Sequence, residues 1–332
     1  MQLYPFLFEP NLRTMVWGGT RLRPYKGLES TEEPIGESWE VSTYPTLPSV
    51  ISNGSFAGKQ LADVIHEAPN EILGKSVNKQ YKGELPLLVK FIDAKSDLSI
   101  QVHPDDEMAM REHGLKGKSE MWYVIKADES SHLYLGFKKH ITPEEYHQRI
   151  KDGTIIEVLA DHQVKPGDVF SIPAGRIHAL CGGIMVAEVQ QSSDLTYRIY
   201  DYNRPGLDGN PRELHTDLAA KALDYQVLPY YRTEYSQQKN KANSLIESPF
   251  FNVRSMNLTR SIHCDMIRYD SFIIAMCLEG DCKIYENISN NEIILKEGNS
   301  TLIPASIADF VIQPLSKSTK ILNTFIDHSY EK

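Results

Sequence analysis

The chain is short of the features that mark secreted, membrane-bound or nucleic-acid-binding proteins. It has four cysteines in 332 residues, Cys181, Cys264, Cys277 and Cys282. They form no Cys-x-x-Cys pair and no dense framework, which argues against a disulfide scaffold and for free thiols in a reducing compartment. No apolar run approaches the roughly 20 residues that span a bilayer. Residues 1–10 lack a basic leader and a long apolar core, so no signal peptide is expected. Cytoplasmic placement without membrane contact is the expectation. Positive charge is also in deficit, with 35 Lys and Arg against 44 Asp and Glu and a net charge of −9. An acidic surface repels nucleic acid, so none is expected as a partner, and any anionic ligand must find its positive charge locally.

What remains is an ordinary globular composition, 41% hydrophobic and 24% charged, which can bury a proper core. The length allows two domains or one large one. Short alternating stretches predominate. Residues 15–19, 38–42, 85–92, 98–104, 121–125, 155–159, 168–172, 178–180 and 185–191 read as strands, with 133–137 continuing the 121–125 strand. Helical period appears over 58–73. Two more helices are expected over 104–113, with Pro104 in its first turn, and over 211–223, led by Pro211. Thr142-Pro143-Glu144-Glu145 carries the N-cap, first-turn proline and capping-box glutamate of another, running to about Lys151. The polar run 236–241 reads as a linker. Strands resume from Phe250, so the chain divides into units at 1–235 and 236–332.

One internal repeat supports that division. Pro166-Gly167-Asp168-Val169-Phe170-Ser171-Ile172-Pro173-Ala174 recurs as Glu297-Gly298-Asn299-Ser300-Thr301-Leu302-Ile303-Pro304-Ala305. A glycine turn, a strand and Ile-Pro-Ala, found twice, indicate two copies of one β-unit. Many short strands with glycine turns favour a mainly β barrel or sandwich. Aligned without gaps, His178 falls opposite Asp309, so any chemistry built on that histidine belongs to the first unit.

The first unit offers metal-type donors from three segments. The strand around Ser99, Gln101 and His103 turns a hydroxyl, an amide and an imidazole to one face. Glu120 stands just before an apolar strand, and His178 follows the Ile-Pro-Ala-Gly turn. Two imidazoles and a carboxylate suffice for zinc with an open position or for non-haem iron, and the Gln101 amide could add an oxygen. Lys90 interrupts an apolar strand, Lys118 lies two residues before Glu120, and Glu188 and Arg198 sit in alternating strands. Each also has a structural reading: an edge or snorkelling lysine, a solvated turn lysine, an outward-facing carboxylate, and an ion pair of Arg198 with Asp194 or Asp201. The remaining nine histidines lie in polar surroundings and are read as solvated.

The sequence resembles the type I mannose-6-phosphate isomerases, zinc enzymes of the cupin fold, in their short bacterial form. The resemblance rests on Val16-Trp17-Gly18-Gly19-Thr20, Leu88-Val89-Lys90-Phe91-Ile92, Ser99 to Pro104, Lys118-Ser119-Glu120, Ile172 to His178, and Glu188 to Arg198, in that order over most of residues 10–225. It implies two cupin-like β-barrel or jelly-roll units with a few peripheral helices, the second lacking metal. It implies one Zn2+ per chain held by His103, Glu120 and His178 with Gln101 as the additional ligand. Arg198 would be the catalytic arginine, Lys118 and Glu188 candidate proton carriers, and Ser99 and Lys90 contacts for a hexose 6-phosphate. Ser119 stands where the long relatives have proline, and their large helical insertion has no room here. The rival expectations are an iron-dependent oxygenase and a sugar-binding cupin without catalysis. The oligomeric state stays open.

Overall fold

A computed structural model describes residues 2–286 and 291–328. Among them, strands are arranged in four open sheets with antiparallel pairings. The first unit contributes two. A seven-stranded sheet runs in the order Arg232–Thr233, Val169–Ile172, Glu120–Ala127, Ile184–Gln191, Leu87–Ala94, Leu12–Gly19, Ile35–Val41. A five-stranded sheet runs Tyr197–Tyr200, Ile100–Val102, His178–Leu180, His132–Phe137, Leu159–Gln163. The mainly β expectation holds, and the barrels are not closed: the sheets face one another as a sandwich.

Alternation along the strands assigns every residue to a layer. Between the two sheets lies a cluster of Trp17, Ile92, Trp122, Val124, Leu133, Leu135, Phe170, Leu180 and Val186. The outer face of the seven-stranded sheet, with Val89, Phe91, Met121, Tyr123, Ala187 and Val189, packs on helices Leu61–Glu67, Pro69–Leu73 and Lys75–Tyr81 and on Phe272, Leu302 and Leu322 of the second unit. Both faces of this sheet are covered, which is why Leu87–Ala94 and Ile184–Gln191 are buried throughout. The outer face of the five-stranded sheet, with Ile100, Val102, Ala179, Tyr197 and Ile199, packs with Met108, Tyr146 and Ala219 from helices Asp106–His113, Pro143–Asp152 and Thr216–Ala222.

The second unit holds a six-stranded and a four-stranded sheet around its own apolar cluster. Strand Phe6–Leu7, from the start of the chain, pairs with Ser300–Ile303 in the six-stranded sheet. The two repeat copies take one local form. Gly167 and Gly298 both turn with positive φ, at 93° and 73°, before strands Val169–Ile172 and Ser300–Ile303. His178 and Asp309 then each open a strand. A buried ion pair joins the units, with Lys26 Nζ at 2.6 Å from Glu40 Oε1 and donating to the Gly298 carbonyl at 2.8 Å, while Ser300 Oγ donates to Glu40 Oε2.

Several local expectations are corrected. Residues 133–137 do not continue the 121–125 strand: the turn after Ala127 carries His132–Phe137 into the opposite sheet. Residues 155–158 form a 3-10 turn, because a short β-branched run suits either state and Arg149 reaches across to the Thr154 carbonyl and Glu157. The helix expected from Pro211 is only Thr216–Ala222, since residues 212–215 are committed to contacts with Asp201 and Arg198. Helix Asp106–His113 is capped by Asp105, whose carboxylate accepts the Met108 N–H, so Pro104 precedes the cap. The helical stretch 58–73 breaks at Pro69, which removes an N–H from the ladder. The Thr142 cap forms as expected, accepting the Glu145 N–H. No helix among the described residues is long and apolar enough to cross a membrane. All four cysteines are free.

Candidate metal centre

The two facing sheets each carry a row of polar side chains across neighbouring strands. In the five-stranded sheet the register pairs Arg198 with Gln101 and Gln101 with His178. In the seven-stranded sheet it pairs Trp39 with Lys90, Lys90 with Glu188 and Glu188 with Trp122. Glu120 lies two residues before Trp122, hence on the same face. Strand register alone thus puts both rows on the inner side of the sandwich.

Where the rows meet, three donors converge. His178 Nε2 is 3.2 Å from Glu120 Oε1, and His103 Nε2 is 3.5 Å from Glu120 Oε2. Their ligand atoms lie within 4.8 Å of one another, and all three residues are buried. His103 Nδ1 is 2.9 Å from the Leu195 carbonyl and His178 Nδ1 is 2.8 Å from the Arg176 carbonyl. Each Nδ1 must be the donor there, which leaves both Nε2 lone pairs facing inward. The Gln101 amide spans both rings, 3.2 Å from His178 Nε2 and 3.5 Å from His103 Nε2. Burial, and after it the charge of Lys118, pushes the His103 imidazole down to about 3, so it stays neutral.

Glu120 tests whether a cation fits. Both carboxylate oxygens are buried without a hydrogen-bond partner of good geometry. Burial alone would raise its pKa, yet the charge of Lys118 holds it well below the ordinary glutamate value. An ionised, buried carboxylate facing two imidazole lone pairs is costly alone and stable around a metal ion. The residues present therefore fit a metal site.

Above the donors opens a cleft of about 310 Å³. Ser99, Gln101 and Arg198 line it from one sheet and Lys90, Trp122 and Glu188 from the other, with Lys118 at the edge of the donor group. Lys118 Nζ sits 3.1 Å from Glu120 Oε2. Lys90 Nζ sits 3.3 Å from Glu188 Oε1 and 4.9 Å above the Trp39 ring, and Trp122 Nε1–H donates to Glu188 Oε2 at 2.8 Å. Two buried lysines and an arginine supply the local positive charge that an acidic protein needs for an anionic ligand.

Residues 6–133 match the model of the phosphomannose isomerase type I catalytic domain. The chain is 36% identical over 313 residues, 93% of its length and 96% of the relative's, to a Bacillus subtilis (strain 168) protein named "Probable mannose-6-phosphate isomerase GmuF". The chain belongs to the mannose-6-phosphate isomerases. A Streptococcus mutans mannose-6-phosphate isomerase is 34% identical, with 91% of this chain and 93% of that one covered. The crystal structure of the mannose 6-phosphate isomerase from Bacillus subtilis superposes with a TM-score of 0.85 at 31% identity, covering 97% of this chain and 99% of the other. The apo phosphomannose isomerase from Salmonella typhimurium shares the fold, with a TM-score of 0.77 at 17% identity and coverage of 98% and 100%.

All nine residues singled out in the sequence of this isomerase gather at the centre and its cleft. Glu120 is the first residue of its strand rather than the residue before it. The structural readings weighed for Lys90, Lys118 and Glu188 do not apply, since all three are buried and inward. Arg198 makes no ion pair among the described residues: Asp201 is taken by Arg204 and Arg212, and Asp194 by Arg13. Sequence reasoning missed Trp39, Trp122, Arg212 and His215, which also line the cleft or contact its residues. Trp122 could have been found by the same period-two count that finds Glu120. His215, read as solvated, is half-buried and reaches the site through contacts distant in sequence.

Proposed function

We propose that this isomerase interconverts mannose 6-phosphate and fructose 6-phosphate in the cleft, with one zinc ion per chain held by His103, Glu120, His178 and Gln101. The observation that carries the reading is the buried Glu120 carboxylate, paired with the Lys118 ammonium on one oxygen and facing two inward Nε2 lone pairs with the rest. Two neutral nitrogens and a carboxylate form the donor set of an open zinc site. Rotation of the Gln101 amide about its last bond would bring its oxygen to the position between the two rings.

Zinc, when bound, supplies Lewis acidity toward the C1 and C2 oxygens of the open-chain sugar. The rest is done by side chains. Isomerisation moves the C2 proton of the aldose to C1 through an enediol, while a hydroxyl proton passes from O2 to O1. Glu188 is the carbon-proton carrier. Burial, and then the charge of Glu120, raise its carboxyl above the ordinary glutamate value against the opposing pull of Lys90 and Lys118. A raised carboxyl suits a group that must take a proton and return it. Lys118 is the other candidate proton carrier: burial would lower it, but Glu120, Glu188 and Asp194 outweigh burial and hold it above the ordinary lysine value. As an ammonium it hydrogen-bonds the sugar oxygens. Arg198, always charged and able to fork across two oxygens, neutralises the enediolate. Lys90 and Ser99 orient the sugar or its phosphate.

The chemistry belongs to the unit spanning 1–235. In the unit spanning 236–332 the position equivalent to His178 holds Asp309, which is paired with the exposed His263 at 2.8 Å. Unbridged cysteines suit a cytoplasmic setting. Glu120→Ala tests the metal assignment: the purified variant should retain far less than one zinc per chain, and isomerase activity should fall with it. Stoichiometric, tightly held zinc in that variant would contradict the ligand set.

A further inference from the structure

Strand Tyr197–Tyr200 is the edge of its sheet, so one side of its backbone has no neighbouring strand. An edge of this kind frays or drifts unless something takes its outward N–H and C=O groups. At Arg198 a single residue takes both. The Arg198 N–H donates to His215 Nδ1 at 3.2 Å, and the His215 N–H donates to the Arg198 carbonyl at 2.7 Å. Two residues earlier, the Glu213 carbonyl accepts from Arg198 Nη1 at 2.9 Å. The guanidinium is thereby held from its far end, while Nε stays buried without a partner.

The segment that delivers these contacts is itself anchored at both ends. Asp201 accepts from Arg212 through both oxygens, at 2.7 and 2.6 Å, and from Arg204. Helix Thr216–Ala222 begins immediately after His215 and packs on the outer face of the same sheet. Because Nδ1 accepts, the ring proton must sit on Nε2. His215 also lines the cleft, and its ring lies 6.2 Å from that of Tyr197, the residue preceding Arg198.

We infer that His215 is the positioning residue for Arg198: its ring nitrogen and backbone N–H fix the edge strand so that the guanidinium meets the substrate oxygens in register. The inference rests on the reading of Arg198 as the arginine that stabilises the enediolate. Displacement of a catalytic group by about 1 Å costs on the order of 100-fold in rate, and a frayed edge strand permits that much. The acceptor is specific in place. An asparagine oxygen occupies the position of Nδ1, whereas a glutamine oxygen sits one bond further out.

Steady-state kinetics on the zinc-loaded full chain, with Arg198→Ala, His215→Ala, His215→Asn and His215→Gln at matched zinc content, test this. His215→Ala and His215→Gln should lose kcat by about 10- to 100-fold, with KM changed by less than about threefold. His215→Asn should return to within about threefold of the wild type. If the alanine variant does not fold, the asparagine–glutamine contrast decides alone. Wild-type kcat in His215→Gln, or an asparagine variant as impaired as the glutamine one, would overturn the inference. An enzyme indifferent to Arg198→Ala would instead overturn the role of Arg198, and this inference with it.

Discussion

Two backbone carbonyls, Leu195 and Arg176, determine what the centre can hold. Each accepts the Nδ1–H of a histidine and so presents Nε2 as a ligand rather than a donor. The same neutrality has a consequence for stability. The His103 pKa falls from 6.5 to about 3 on folding, chiefly through burial. Between these values the unfolded chain binds a proton that the folded chain refuses, so stability rises with pH there. The contribution is complete above pH 6.5 and is lost progressively as pH falls toward 3. Metal-stripped protein should therefore lose Tm on acidification below about pH 6.5, and His103→Gln should lose it less steeply over the same interval. Parallel Tm–pH slopes for the two proteins would contradict the burial account of His103.

At the scale of elements, period-two alternation explains why so much of the site could be read in advance. Ser99, Gln101 and His103 share one face by count alone, whereas alternation left Glu188 inward or outward and only the family resemblance pointed it at the site. What alternation cannot give is which sheet a strand joins. Residues 133–137 look like a continuation of 121–125 until the sandwich places them opposite, and His215 looks solvated until an edge strand far from it in the chain needs its ring. The shortened helix at 216–222 has the same cause, because contacts made elsewhere override a local proline signal. The repeat, by contrast, was legible in full, and its two glycines allow a paired prediction. Both Gly167 and Gly298 have positive φ, so alanine at either is strained by about 1–2 kcal/mol. A Cβ at Gly298 would also lie 2.1 Å from the Tyr25 carbonyl oxygen, whereas at Gly167 the nearest atom is 3.6 Å away. Gly298→Ala should thus lower the unfolding free energy from urea titration further than Gly167→Ala, by an additional ~1–3 kcal/mol. Equal shifts would mean that the Tyr25 segment gives way at no cost.

Across the whole molecule, the seven-stranded sheet is the shared wall. Its inner face carries Lys90, Glu188, Trp122 and Glu120, and its outer face is pressed on the second unit through one continuous apolar cluster. The buried Lys26–Glu40 pair, tied to Gly298 and Ser300, fixes that contact in register. The seven-stranded sheet is thus backed by the second unit on the side away from its polar row. That arrangement brings a cluster fit for a metal ion, a carboxyl with a raised pKa and an arginine without an ion pair among the described residues to one cleft in an otherwise acidic protein. The decisive measurement is coupled detection of fructose 6-phosphate formed from mannose 6-phosphate by the zinc-loaded chain, beside Arg198→Ala at the same zinc content. Turnover in the wild type and a loss of about 100-fold or more in the variant is the predicted result. Absence of turnover in the zinc-loaded wild type, or an undiminished rate in the variant, would contradict it.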